Sequence, residues 1–168
     1  MPTIQNLLTK QYEMLYAMTL MNLGGMTRED SLVEPEGGAN TANWVLGHLI
    51  TVHNGAMELL GEAPVVPREA LAGAAPEPAD RPDEPMDWEL LTSRFAASKD
   101  RCLAAIAGIS DEALEEPMPH PFGGESTRGE LLQLVAMHGT YHAGQLGMCR
   151  RAAGREGVIK GPGQARGS

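Results

Sequence analysis

Residues 127–153 read TRGELLQLVAMHGTYHAGQLGMCRRAA, and the fold class turns on them. Thr127-Arg128-Gly129-Glu130 is the S/T-x-x-E capping box, in which a threonine hydroxyl and a glutamate carboxylate satisfy the first free N–H groups of a helix. Leu131, Leu134, Val135, Gln145 and Cys149 then fall within about 60° of His138 on a 3.6-residue wheel. That period predicts a helix from Thr127 to about Ala153 with one inward stripe, and it contains none of the alternation a strand requires.

The same period recurs three times upstream. Ile4, Leu7, Leu8, Leu15 and Met18 share a stripe that ends at Gly24-Gly25. A second helix is expected from about Asn40 to Leu60, with Trp44, Val45, Val52 and Leu59 on one face and Gly61 as the stop. A third begins near Asp87, a good N-cap after Pro85, and carries Trp88, Leu91, Phe95, Cys102 and Ile106. The joints differ in character. Residues 61–85 hold Pro64, Pro67, Pro76, Pro78, Pro82 and Pro85, which predicts a long extended crossover, while residues 116–126 read as an irregular loop. The expectation is an all-α four-helix bundle with one long Pro-rich crossover between helices 2 and 3. It forms a single domain over residues 1–155 with a flexible tail at 156–168.

Composition narrows the function classes. The chain has 168 residues, 13 Lys+Arg against 22 Asp+Glu, and a formal charge of −9. That balance argues against the phosphate-neutralising surface nucleic-acid binding requires. Cys102 and Cys149 form no C-x-x-C pair and read as free, buried thiols of a cytoplasmic protein. The opening MPTIQNLLTKQYEM lacks the basic start and apolar run of a signal peptide, and no stretch approaches the ~18–20 apolar residues of a membrane span.

The histidines carry the chemistry. His138 and His142 are spaced i, i+4 on the inward stripe, where two imidazoles can converge on one ion. Buried together they cost free energy unless a partner satisfies their nitrogens. His48 shares the face of Trp44, Val45 and Val52 on the second helix, so three inward imidazoles come from two facing helices. That set matches the three-histidine shell of an open mononuclear metal site. His53 lies about 140° round the wheel from His48 and is expected at the solvated rim. His120 falls in the Pro/Gly loop, where it is either exposed or an extra ligand that caps the site. H-E-x-x-H is absent, and no histidine has glutamate three residues before it, so neither a zincin nor a di-iron bundle is written here.

Asn43-Trp44-Val45-Leu46-Gly47-His48-Leu49, together with His138-Gly139-Thr140-Tyr141-His142-Ala143-Gly144-Gln145-Leu146, resembles the DinB-like (DinB/YfiT) family of metal-dependent enzymes. The resemblance covers nearly the whole chain. It implies a four-helix bundle, commonly a homodimer, holding a divalent ion such as nickel, zinc or iron on His48, His138 and His142. It also implies a thiol-dependent S-transferase chemistry, in which a low-molecular-weight thiol such as bacillithiol or mycothiol is activated at the metal for attack on a small-molecule electrophile. Tyr141 and Gln145 are then candidates for orienting a ligand or the substrate. Two alternatives stand beside this: a metal-dependent hydrolase, for which no nearby base can be named, and a non-catalytic, metal-stabilised stress protein of the damage-inducible kind.

Overall fold

A computed structural model describes residues 3–76 and 84–158. Four long helices build it: α1 (Ile4–Leu23), α3 (Ala42–Leu59), α4 (Trp88–Gly108) and α6 (Arg128–Ala152), with short α2 (Arg28–Ser31) and α5 (Asp111–Leu114) in the connections. The expected caps form. Thr127 and Glu130 close the capping box of α6, the Asp87 carboxylate accepts from the Leu90 N–H, and Gly25 and Gly61 turn the chain at positive φ after α1 and α3. No described helix is long and apolar enough to cross a membrane. Cys102 and Cys149 are free and buried, as expected.

Side-chain bonds between helices set their directions. The Tyr12 hydroxyl donates to the Leu132 carbonyl (3.0 Å) and Asn22 Nδ2 to the Ala143 carbonyl (2.9 Å), so α1 and α6 run side by side in the same sense. Arg128, at the start of α6, donates to the Leu59 carbonyl at the end of α3, and Cys149 Sγ meets the Asn40 carbonyl, so α3 and α6 are antiparallel. Helices α1 and α6 touch closely because Gly139 has no side chain: a Cβ there would stand 2.8 Å from both methyls of Leu15. The core between the four helices holds Tyr12, Tyr16, Leu46, Leu49, Ile50, Phe95 and Leu132.

Several expectations are corrected. The first-helix stripe is only half right: Leu8 and Leu15 are buried, but Ile4 and Leu7 are 49% and 55% exposed and Met18 is half-buried. The row that enters the core is Leu8, Tyr12, Leu15, Tyr16 and Leu23, because the tyrosine hydroxyls find buried partners. The loop at residues 116–126 is not wholly irregular. Pro117–Pro119 (β1) pairs antiparallel with Glu125–Thr127 (β2), Met118 opposite Ser126, and Gly123 and Gly124 make the turn at φ 95° and 88°. Two prolines in a three-residue strand hide it from a pattern reading. The described part of the crossover is not simply extended. Arg68–Ala74 coils into a 3₁₀ helix (η1) that buries Leu71 and Ala74 beside α3. Pro78 and Pro82, and residues 159–168 of the expected tail, lie outside the described residues.

Candidate metal centre

The N-W-x-x-G-H-L segment packs the crossover against α3 and presents one imidazole. The Asn43 amide brackets the Met86 backbone, Nδ2 donating to its carbonyl (2.9 Å) and Oδ1 accepting from its N–H (3.1 Å). Gly47 leaves room for the Met86 thioether, into which a Cβ would collide. One turn along the outer side, the Trp44 indole stacks flat on His48, with centroids 4.8 Å apart and planes 7° from parallel. That stack holds the imidazole plane while its edge faces α6.

His138 and His142 meet it from α6. His48 Nε2 and His138 Nε2 are 3.2 Å apart, and His142 Nε2 and His138 Nε2 are 2.9 Å apart. One ligand atom from each of the three lies within 4.8 Å of the others. Nitrogens around a tetrahedral ion bound at ~2.0–2.1 Å stand roughly 3.3 Å apart, so the donor set fits a divalent cation. His142 Nδ1–H donates to Gln145 Oε1 at 2.6 Å, which commits the ring's other nitrogen to presenting a lone pair. Gln145 Nε2 in turn donates to the Tyr141 hydroxyl at 3.2 Å. A single proton satisfies one pair of these nitrogens; a divalent cation satisfies all three.

All three imidazoles are held neutral. Burial first, then the His142 and His138 rings, push His48 down to about 4. Burial lowers His138, and burial lowers His142 against the opposing pull of its bond to Gln145. Among the described residues, no carboxylate figures in the electrostatics of the three rings.

The structure brings the three imidazoles together, but not at the expected depth. Only His142 is buried, at 4% exposure, while His48 and His138 are half-buried, so the cluster lies at the edge of the α3/α6 seam rather than inside the bundle. His120 stands apart from it. Its Nδ1 accepts from the Phe122 N–H in the hairpin, and it borders a groove with Gln11 and Met14 on the α1 side of α6. Cys149 shares the stripe but also stands outside the cluster.

The expectation for His53 is overturned. It is 1% exposed, with Nε2 2.7 Å from the Tyr16 hydroxyl, which also meets Ser98 Oγ at 2.8 Å. The wheel was centred on bulky Trp44, but Trp44 is half-buried, and the core-facing arc of α3 runs through Val45, Leu46, Leu49, Ile50, His53 and Met57. Sequence reasoning missed the Trp44–His48 stack as well, although the i, i+4 spacing of the two rings pointed to it.

Four helices with an open trio of imidazoles on two antiparallel neighbours define a four-helix bundle with a candidate metal site. The chain belongs to the DinB superfamily, whose family model matches residues 11–146. Among solved structures it is similar to YfiT from Bacillus subtilis, with 16% identity, a TM-score of 0.64, and coverage of 90% of this chain and 89% of that one. YfiT is described as "a probable metal-dependent hydrolase with an unusual four-helix bundle topology". No curated protein matches this sequence.

Proposed function

We propose that this chain is a divalent-metal-dependent enzyme of the thiol S-transferase type. Its ion, nickel, zinc or iron, is held by Nε2 of His48, His138 and His142, and its partner is a low-molecular-weight thiol of the bacillithiol or mycothiol kind. It acts as a cytoplasmic homodimer on a small electrophile. The observation that carries the reading is the three Nε2 atoms converging at a half-exposed edge with no fourth histidine, cysteine or carboxylate grouped with them among the described residues. Structural zinc sites are usually closed by four protein ligands, whereas catalytic ones keep a position open.

A divalent ion on three neutral imidazoles keeps its full charge, and with it the capacity to acidify a thiol or water that binds beside it. The chain's own groups have narrower tasks. Gln145 fixes the tautomer and plane of His142, Trp44 fixes the plane of His48, and the 65% exposed Tyr141 offers its hydroxyl to an incoming molecule. No carboxylate is grouped with the three imidazoles among the described residues, so none is placed beside them to act as a general base for water. A thiol, far more acidic than water, needs no such base, which favours it as the nucleophile. The likeness to YfiT favours a second reading, hydrolysis of an ester or amide at the same site.

The test is elemental analysis of untagged protein purified without chelator, followed by parallel assays of the loaded protein. One equivalent of a transition metal and thiol-dependent consumption of a small haloalkane or haloarene are expected. Ester hydrolysis with no thiol dependence would transfer the assignment to the second reading. Absence of metal would remove both.

A further inference from the structure

The crossover is fastened to α3 at two points and stands off it between them. At one end Ala74 sits against Gly47, 3.2 Å from where a Cβ would stand. At the other the Asn54 amide brackets the chain, Oδ1 accepting from the Val65 N–H (2.7 Å) and Nδ2 donating to the Val66 carbonyl (2.8 Å), so η1 runs antiparallel to α3. A groove of about 660 Å³ follows this seam, with Thr51, Gly55 and Glu58 on the α3 wall and Arg68 and Ala72 on the other. That volume falls in the range of small-molecule sites.

Gly55 has no packing reason to be glycine. Gly47 and Gly139 make room for Met86 and Leu15, but a Cβ at Gly55 would meet nothing within 4 Å. Glycine in a helix interior costs more than any residue but proline, and here it thins the wall of the groove. Gly144 on α6 is open in the same way and lines a separate recess of only about 160 Å³. Charge says what would fit beside Gly55. Three charged residues line the groove, Glu58, Glu62 and Arg68, and Glu62 is held by Arg101 at 3.3 Å. Glu58 and Arg68 form no ion pair among the described residues, with each other or with a third group. The groove thus presents one carboxylate and one guanidinium, with no net charge between them, beside small side chains. Its other end leads towards the candidate metal centre: Ala75 accepts from Trp44 Nε1 at 3.2 Å, and Trp44 is the ring stacked on His48. From Glu58 back to Thr51 is ~10 Å of helix.

We infer that this groove binds an α-amino-acid zwitterion with a linear side chain. Arg68 takes the carboxylate through its planar fork, Glu58 takes the ammonium, and the side chain runs past Gly55 and Thr51 towards Trp44. The inference rests on the proposed function and deepens it: the small electrophile is amino-acid-like, its head in the groove and its reacting end beside the candidate metal centre.

Isothermal titration calorimetry of the metal-free full chain with L-2-aminooctanoate tests it, beside heptylamine and octanoate, which each lack one of the two charges. The amino acid is expected to bind one per chain and about tenfold tighter than either analogue. Arg68→Ala should weaken the amino acid about tenfold and leave heptylamine as it was, and Glu58→Ala should weaken it about tenfold and leave octanoate as it was. Gly55→Leu should remove binding with helical circular dichroism undiminished, since leucine favours a helix and its Cβ enters open space. Metal content after loading should be the same in all three variants as in the wild type. Affinity unchanged in both charge variants, or no tighter for the amino acid than for heptylamine, would overturn the zwitterion. No saturable binding to a wild type that loads one equivalent of metal would overturn the groove and leave the proposed function standing. Binding by a chain that loads no metal would instead remove that function and cut the groove from any reaction at the three histidines.

Discussion

His48 and His53 stand five residues apart on α3, and burial above all drives both down to about 4. By proton affinity alone they are the same kind of residue. What surrounds them differs. The buried ring of His53 meets a hydroxyl through Nε2, Tyr16 with Ser98 behind it, while its Nδ1 is buried with no hydrogen-bond partner among the described residues. His48, stacked on Trp44, turns its Nε2 only toward other imidazoles, at an edge that solvent reaches. Its neighbours are lone pairs that want a cation. The contrast teaches that a depressed histidine pKa does not mark a site; the identity of the facing atoms does.

The sharpest way to break the comparison is to truncate one histidine from each group. His142→Ala should lower metal affinity by more than ~100-fold, beyond the ~10–100-fold usual for losing a group that merely supports a ligand, and should leave the fold intact. His53→Ala should do the reverse: one ion per folded chain, but about 2–4 kcal/mol lost to the cavity and to the loss of one of the Tyr16 hydroxyl's two partners. Elemental analysis and urea unfolding read the two effects separately. Metal loss in both variants would erase the distinction.

Acid should act next most strongly. The folded pKa of His53 lies below its ordinary 6.5, so the unfolded chain binds the extra proton first. The stability that its neutral, buried state contributes is complete above pH 6.5 and is lost as pH falls towards 4, by about 3 kcal/mol. Tyr12, Tyr16 and Phe95 face it, Ser98 bonds the Tyr16 hydroxyl behind it, and the Arg101 charge acts on it. In metal-free protein the unfolding free energy of His53→Gln should therefore fall less steeply over that window than that of the wild type. Equal slopes would show that His53 is not the group responsible.

Smaller effects sharpen the contrast further. Gln145→Leu should weaken metal binding ~10–100-fold with stability changed by less than about 0.5 kcal/mol, as competition with a chelator would register. Tyr16→Phe should cost about 1–2 kcal/mol in thermal unfolding and leave metal content unchanged.

Local signals were readable because local physics makes them. The Thr127 capping box, the Asp87 N-cap and the glycine stops work through atoms three or four residues away, and all stand where the spacing put them. The i, i+4 histidine pair, and His48 facing it, were readable for the same reason. Depth was not. Whether His48 or His53 is the deeper depends on how α1 and α4 close over α3, and a wheel for one helix holds no information about that. The exposure of Ile4 and Leu7 was hidden likewise, since an outer apolar row and a core row look identical along one helix. The hairpin escaped because its pairing rests on two positive-φ glycines rather than on strand-forming residues.

The Arg128 guanidinium bonds to the Leu59 carbonyl, the Ala113 carbonyl and the Glu116 carboxylate at the first turn of α6. It acts as a phase reference. Every residue downstream inherits its compass bearing from that anchored turn, His138 and His142 included. One residue inserted between Glu130 and His138 would swing the pair ~100° and carry it ~1.5 Å along the axis, away from His48, whereas seven inserted together would bring the bearing almost back but leave the pair about 10 Å too far on. The candidate metal centre is thus timed from a clamp about three to four turns away, and the length of that interval is as much a part of the site as the imidazoles.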